Sequence, residues 1–249
     1  MTYDRLANVY DQFMSAAPYD QWTDVTEEIF KHFSHSTHTV IDLGCGTGEI
    51  TARLAEKGYE MIGVDHSENM LTCAQHKANE KQLDIQWIHQ DIRQLEGLNH
   101  LDAAISYCDV INYITSEREV KAVFGKANRA LKEGGIFIFD VHSLYHVKNH
   151  LLERTFADVT DKQAYIWFCY QGDYEGEMFH DLTFFEQIGN SYRRYDEYHH
   201  QRTFPIAVYK QLLVESGFEV NHMFGDFSFN ERLHDQAKRI FFVAEKKME

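Results

Sequence analysis

The sequence predicts an α/β protein built on a doubly wound, mostly parallel seven-stranded sheet, interrupted by an antiparallel β insertion. Three observations carry this expectation. From Thr39 to Asp140, short apolar runs alternate with amphipathic stretches, the pattern of repeated βαβ units. A strand ending in Asp42 passes directly into the run Gly44-Cys45-Gly46-Thr47-Gly48, which brings backbone close to a ligand at a helix start. From Ser143 to Phe204, apolar and polar residues alternate, aromatics are dense, and helix signals are mostly missing after Leu152.

Each element follows from local pattern. Thr39 to Asp42 is the first strand. After the glycine run, a helix from about Glu49 carries Ile50, Leu54 and Ala55 inward and closes at Gly58. Glu60 to Val64 forms the second strand and ends on Asp65. Ser67 caps a helix whose inner face is Met70, Leu71, Ala74 and Ala78. Ile85 to Ile88 and Asp102 to Tyr107 are strands three and four. Ser116 and Glu119 make a capping box for a helix with Val120, Val123, Phe124, Ala127 and Leu131 on one face. Gly134-Gly135 turns the chain into a fifth strand, Ile136 to Asp140.

In the insertion, Ala164 to Tyr170, Met178 to Gln187 and Ser191 to Gln201 read as strands, with turns at 172–176 and at Gly189-Asn190. Pro205 suits the first turn of a helix with Val208, Leu212 and Leu213 on its apolar face. Phe218 to Phe227 and Arg239 to Glu245 then close the sheet as a hairpin-like pair. The expected organisation is therefore one domain, 1–142 with 205–249, interrupted by a β subdomain at 143–204.

Composition limits the partners. At 249 residues, 44% hydrophobic and 25% charged, the chain has the makeup of a globular protein with one large core, or one core plus a subdomain. A formal charge of −15 repels polyanions, so nucleic acid and anionic membrane surfaces are not expected partners. The short basic run Arg193-Arg194, flanked by Asp196 and Glu197, reads as a solvated strand edge. Cys45, Cys73, Cys108 and Cys169 lack CxxC spacing, and the start lacks a signal-peptide core. Free thiols in a reducing cytoplasm are expected.

The chemistry concentrates at the carboxyl ends of the strands. A dinucleotide GxGxxG loop would place its third glycine where Glu49 stands, and an acid at a helix N-terminus is a poor host for pyrophosphate. The same acid tolerates a cationic ligand. Asp65 is placed to accept hydrogen bonds from a ribose diol. Met70 can pack on an adenine face, while Asp91, in Gln90-Asp91-Ile92, can accept from an exocyclic amine with Ile92 covering the ring. Together these describe a pocket for a phosphate-free purine nucleoside.

With Asp42-Leu43-Gly44-Cys45-Gly46-Thr47-Gly48, Gly63-Val64-Asp65-His66-Ser67-Glu68-Asn69-Met70 and Gln90-Asp91-Ile92, the sequence resembles the class I methyltransferases that use S-adenosyl-L-methionine, specifically the small-molecule type. The resemblance covers Thr39 to Asp140. It implies that Gly44, Gly46 and Gly48 lie against the methionine part of the cofactor, that Asp65 holds the ribose, and that Asp91 meets adenine. Asp42, Cys45, His66, Met70, Gln90, Ile92 and Cys108 complete the expected cofactor-binding positions, with Cys45 as small filler. The opening Tyr3 to Asp11 looks like the helix that closes over the cofactor in many such enzymes, which implies a lid over 1–35 and a contact from Tyr10.

The acceptor end is less determined. Cys108, Asp109, Asn112 and Tyr113 follow strand four and His142 follows strand five, where ligands of open α/β sheets sit. Tyr107 and Asp109 either position the acceptor or cap the next loop. His142 has the unperturbed pKa suited to a general base near neutrality, or it is structural. Asn112, Tyr113, His142, Trp167 and Tyr198 are the candidate acceptor contacts, and alternate strand members must face opposite ways. No metal is expected: His146 and His150 share a helical face but lack a third ligand, and adjacent His199 and His200 face apart. The expected activity is direct methyl transfer to a small-molecule acceptor by a monomer or homodimer. A non-catalytic cofactor-binding scaffold and a nicotinamide oxidoreductase are the alternatives.

Overall fold

The structure is a computed structural model that describes residues 17–33 and 36–248. The first described helix, α1 (Tyr19–Phe33), precedes β1 (Thr39–Leu43), α2 (Glu49–Glu56), β2 (Glu60–Asp65), α3 (Glu68–Glu80) and β3 (Gln86–His89). Next come β4 (Leu101–Ser106), α4 (Glu117–Ala130) and β5 (Leu131–His142). A short helix, α5 (Leu144–His146), runs into a π-helical turn at Val147–Leu151. Four strands follow: β6 (Arg154–Val159), β7 (Gln163–Gln171), β8 (Glu177–Ile188) and β9 (Ser191–Arg202). The chain ends with α6 (Ile206–Glu215), β10 (Phe218–Gly225) and β11 (Arg239–Lys246).

The main sheet has the order β10-β11-β5-β4-β1-β2-β3. β1, β2, β3, β4 and β5 pair in parallel, whereas β11 lies antiparallel between β5 and β10. β4 is buried along its whole length, as expected of a central strand covered on both faces. One face packs Leu43, Phe124, Phe137, Phe139, Tyr209 and Phe242 under α4 and α6. The other packs Ile29, Phe30, Val40, Leu54, Ile105 and Phe241 under α1 and α2. The predicted caps form: Ser67 accepts from the backbone N–H of Met70, and Ser116 from that of Glu119. Pro205 sits one position before α6, as its N-cap residue, rather than inside the first turn.

The insertion forms a separate four-stranded antiparallel sheet of order β6-β7-β8-β9. β6 was not anticipated, because its sequence Arg-Thr-Phe-Ala-Asp-Val is almost wholly exposed and carries no apolar alternation. Register decides which aromatics look inward. Cys169 opposes His180, and His180 opposes His199, so Trp167, His180, His199 and Gln201 share one face. Ile166, Phe168, Phe179 and Tyr198 share the other.

Candidate active site

The candidate cofactor end is built by the β1–α2 turn. Gly44 and Cys45 donate their backbone N–H groups to Val64 O at 2.8 and 3.0 Å, stitching the loop to β2. Gly44, Gly46 and Gly48 all have positive φ. A Cβ at Gly44 would overlap the Val110 side chain and one at Gly48 would overlap Trp87, so both glycines are required by packing. Gly46 differs: a Cβ there meets nothing within 4 Å, so this glycine faces open space.

Carboxylates hold the loop. Asp65 Oδ2 accepts from Gly46 N at 2.9 Å and Oδ1 from Ser67 N at 2.8 Å. Asp42 is buried and accepts from Thr51 Oγ1 at 2.6 Å. Burial pushes the Asp42 carboxyl up to about 7, opposed by the Thr51 bond and reinforced by the nearby charge of Asp65. Asp91 caps a 3₁₀ turn at Ile92–Gln94, and the Arg93 guanidinium beside it holds its carboxyl below the usual range. Gln90 bonds the backbone of Glu96 through both ends of its amide, His66 is largely exposed beside Asp65, Met70 is half-buried, and Ile92 packs in the core. Tyr10 lies outside the described residues.

One electrostatic expectation needs correction. Glu49 is not a free negative charge at the start of α2, because it pairs with Arg53 and, at 2.6 Å, with Lys77. These two cations offset the negative charge by which Glu49 alone would repel a pyrophosphate at this helix start.

The candidate acceptor end lies where β4 and β5 stop. Cys108 and Asp109 are consecutive non-glycine residues in the left-handed region, at φ 56° and 54°, a conformation that costs about 1–3 kcal/mol per residue. Asp140 offsets that cost: its carboxylate accepts from Cys108 N at 3.3 Å and from Asp109 N at 2.7 Å. Arg239 then bridges the two acids, Nη1 to Asp140 at 2.8 Å and Nη2 to Asp109 at 3.0 Å. Burial would raise the Asp109 carboxyl, but His142, Arg239 and Gln201 outweigh it and hold the group well below its ordinary range. Burial keeps Asp140 above its ordinary range despite Arg239.

His142 Nε2 lies 3.5 Å from Asp109 Oδ2, with both side chains less than one-fifth exposed. Its backbone N–H donates to Asn112 Oδ1 at 2.9 Å. Asn112 is itself fully buried and spends its amide on Arg202 O and the Tyr209 hydroxyl, so it is a strut and not an acceptor contact. Tyr107 is likewise a core residue, its hydroxyl 2.7 Å from that of Thr26. Tyr198 is 80% exposed on the outer face of the second sheet, turned away from Gln201 by strand alternation. Trp167 faces inward, as does His199, whose Nδ1 lies 3.2 Å from the exposed Tyr113 hydroxyl. Among the described residues, no three His, Cys, Asp or Glu side chains converge to hold a metal.

Residues 40–135 match a family described as a methyltransferase domain. Over 247 residues the chain is 41% identical to YqeM of Bacillus subtilis, a protein named as a methyltransferase, covering 99% of this chain and 98% of that one. The chain belongs to the S-adenosylmethionine-dependent methyltransferases. An S-adenosylmethionine-dependent methyltransferase from Clostridium acetobutylicum superposes with a TM-score of 0.90 at 27% identity, with both chains fully covered. The glycine/sarcosine N-methyltransferase of Aphanothece halophytica is 26% identical over 221 residues, 86% of this chain and 77% of that one.

The residues present fit the cofactor of this methyltransferase family. The open space over Gly46 admits a ligand against bare backbone, and acids stand at the ends of β2 and β3. Sequence reasoning missed Trp22, Arg239, Gln201 and His180. Trp22 Nε1 donates to Asp140 and its ring lies under the Arg239 guanidinium. Gln201 Nε2 donates to Asp109 Oδ2 at 2.8 Å. Among the described residues, no helix is long and apolar enough to cross a membrane.

Proposed function

We propose that this methyltransferase acts on a small molecule whose accepting atom arrives carrying a proton, and that His142 receives that proton. The observation that carries the reading is the Asp109–His142 pair, an ionised carboxylate 3.5 Å from an imidazole at the carboxyl ends of β4 and β5. Gly44, Gly46 and Gly48 would hold the methionine part of the cofactor, Asp65 the ribose, and Asp91 with Ile92 and Met70 the adenine. When bound, S-adenosylmethionine supplies an electrophilic methyl group on a positively charged sulfur.

Asp109 faces His142 Nε2 and so favours the proton there, which leaves Nδ1 as the acceptor. With the cofactor bound, its methyl group would pass to the accepting atom, and Nδ1 of His142 would take the proton that this atom carries. The imidazolium formed is stabilised by Asp109. The second sheet, 143–204, covers this end as a cap and excludes water, so orientation and desolvation supply most of the rate. Likeness to a glycine/sarcosine N-methyltransferase supports a small nitrogen acceptor first and a hydroxyl second. A reducing cytoplasm, where cysteines persist as thiols, is the compartment we propose.

The test is transfer of labelled methyl from the cofactor to a panel of small amines and alcohols. Transfer to a member of the panel is expected. His142→Gln should lower kcat at neutral pH by about 10²-fold and leave the affinity for S-adenosylhomocysteine unchanged. Turnover only on protein or nucleic acid would overturn the small-molecule reading, and an unchanged kcat would overturn the role of His142.

A further inference from the structure

The inner face of the second sheet carries a polar chain that its packing does not need. Trp167 Nε1 donates to His180 Nδ1 at 2.9 Å. An indole N–H can only donate, so Nδ1 accepts and the His180 proton sits on Nε2. That nitrogen faces Gln201 Oε1 at 3.1 Å, which fixes the amide so that Gln201 Nε2 donates to Asp109 Oδ2 at 2.8 Å. His180 and Gln201 are each only 4% exposed. Burying such a chain costs more than burying an apolar pair of similar size, and one broken link leaves a costly orphan.

We infer that His180 and Gln201 are positioning residues for methyl transfer, through which the second sheet sets the direction in which Asp109 presents its carboxylate to His142. The inference rests on the reading of His142 as proton acceptor. Asp109 is pinned at both oxygens, Oδ1 by Arg239 and Oδ2 by Gln201, and Oδ2 is the oxygen nearest His142. Without Gln201, the carboxylate turns about the Arg239 contact and Oδ2 leaves the imidazole.

The groups around His142 make this measurable. Asp109 faces it from the turn after β4, the His146 ring stands 5.3 Å away on α5, and His180 acts on it from β8. Arg239 and Asp140 reach it through Asp109. Burial holds both His146 and His180 down to about 4, so each is neutral near pH 7. Removing His180 therefore deletes no charge near His142, and its effect must travel along the relay.

The experiment is an NMR titration of the His142 ring in the full chain, in the wild type and in His180→Phe, Gln201→Leu and His180→Gln, with S-adenosylhomocysteine affinity measured alongside. The two apolar variants should lower the His142 midpoint by about 0.5 unit or more, since the midpoint follows the stabilisation that Asp109 gives the imidazolium. His180→Gln retains an acceptor and a donor and should return the midpoint toward the wild type. S-adenosylhomocysteine affinity should stay unchanged throughout. A midpoint that is unchanged or raised in the apolar variants overturns the proposal. Should Gln201→Leu not fold, His180→Phe decides alone, because it leaves Gln201 and Asp109 in place. An unchanged kcat in His142→Gln would remove the catalytic reading without altering the titration result, so the two failures are distinguishable.

Discussion

Trp22 Nε1 donates to Asp140 Oδ2 at 2.6 Å across 118 residues of sequence, tying α1 to the strand that carries Asp140 and His142. Asp140 also accepts from the backbone of Cys108 and Asp109 and from Arg239. A single buried carboxylate thus shapes the turn after β4, orients the guanidinium that restrains Asp109, and anchors the first described helix.

Arg239 is the cation that makes this cluster tolerable. Arg239→Met removes the cation that Asp140 and Asp109 share and leaves Asp140 buried without its ion-pair partner, a loss expected to cost about 3–5 kcal/mol at pH 7. In the wild type, Asp109 lies below its unfolded pKa, so its contribution is present above that value and lost as pH falls through the folded one. In the variant both carboxyls rise, and the penalty is relieved as they take up protons. The Tm gap between wild type and variant, followed by thermal melts, should therefore narrow from pH 7 to pH 5. A gap that is constant over this range argues that charge is not the cause.

Asp42 gives a pH dependence of the opposite kind. Its carboxyl sits at about 7 against an ordinary 3.8, so the stability it contributes is complete below about pH 4 and lost as pH rises through 7. The shift sets an upper bound of about 4 kcal/mol on that loss. Asp42→Asn keeps an acceptor for Thr51 and cannot ionise. It should be more stable than the wild type at pH 8 and flatten the Tm profile between pH 5 and pH 8. Equal slopes in the two proteins would show that Asp42 is ionised in the fold.

The three glycines of the loop should separate by experiment. Gly44→Ala drives a methyl group into Val110 and should lower Tm and cofactor binding together. Gly46→Ala meets open space and adds only the left-handed penalty of about 1–2 kcal/mol. Its S-adenosylhomocysteine affinity, measured by calorimetry, should nevertheless fall at least as far as that of Gly44→Ala. Full binding by Gly46→Ala would place the cofactor elsewhere.

The elements of the candidate cofactor half were legible because their signals are local: strand, glycine run, helix start and terminal acid fall within one βα unit. The acceptor half was not, since Arg239 and Gln201 reach Asp109 from 130 and 92 residues away and neither carries a distinguishing local pattern. Alternation along β9 told that Tyr198 and His199 part company, but both faces of that sheet carry aromatics, so only the pairing register shows which one looks inward. Glu49 was half readable. Its partner Arg53 stands one helical turn away, as sequence spacing allows, whereas Lys77 arrives from α3.

Asn112 Oδ1 accepts from His142 N while its Nδ2 donates to Arg202 O, so one side chain grips both the point where the chain leaves the main sheet and the point where it returns. In topological terms the entire second sheet is a single surface excursion with a closed neck. Such an excursion adds only a slowly growing closure cost as it lengthens. Its outer-face residues are therefore free to drift, whereas the neck at Asn112, the donor to Asp109 and the chain from Trp167 through His180 to Gln201 are the fixed terms of any exchange.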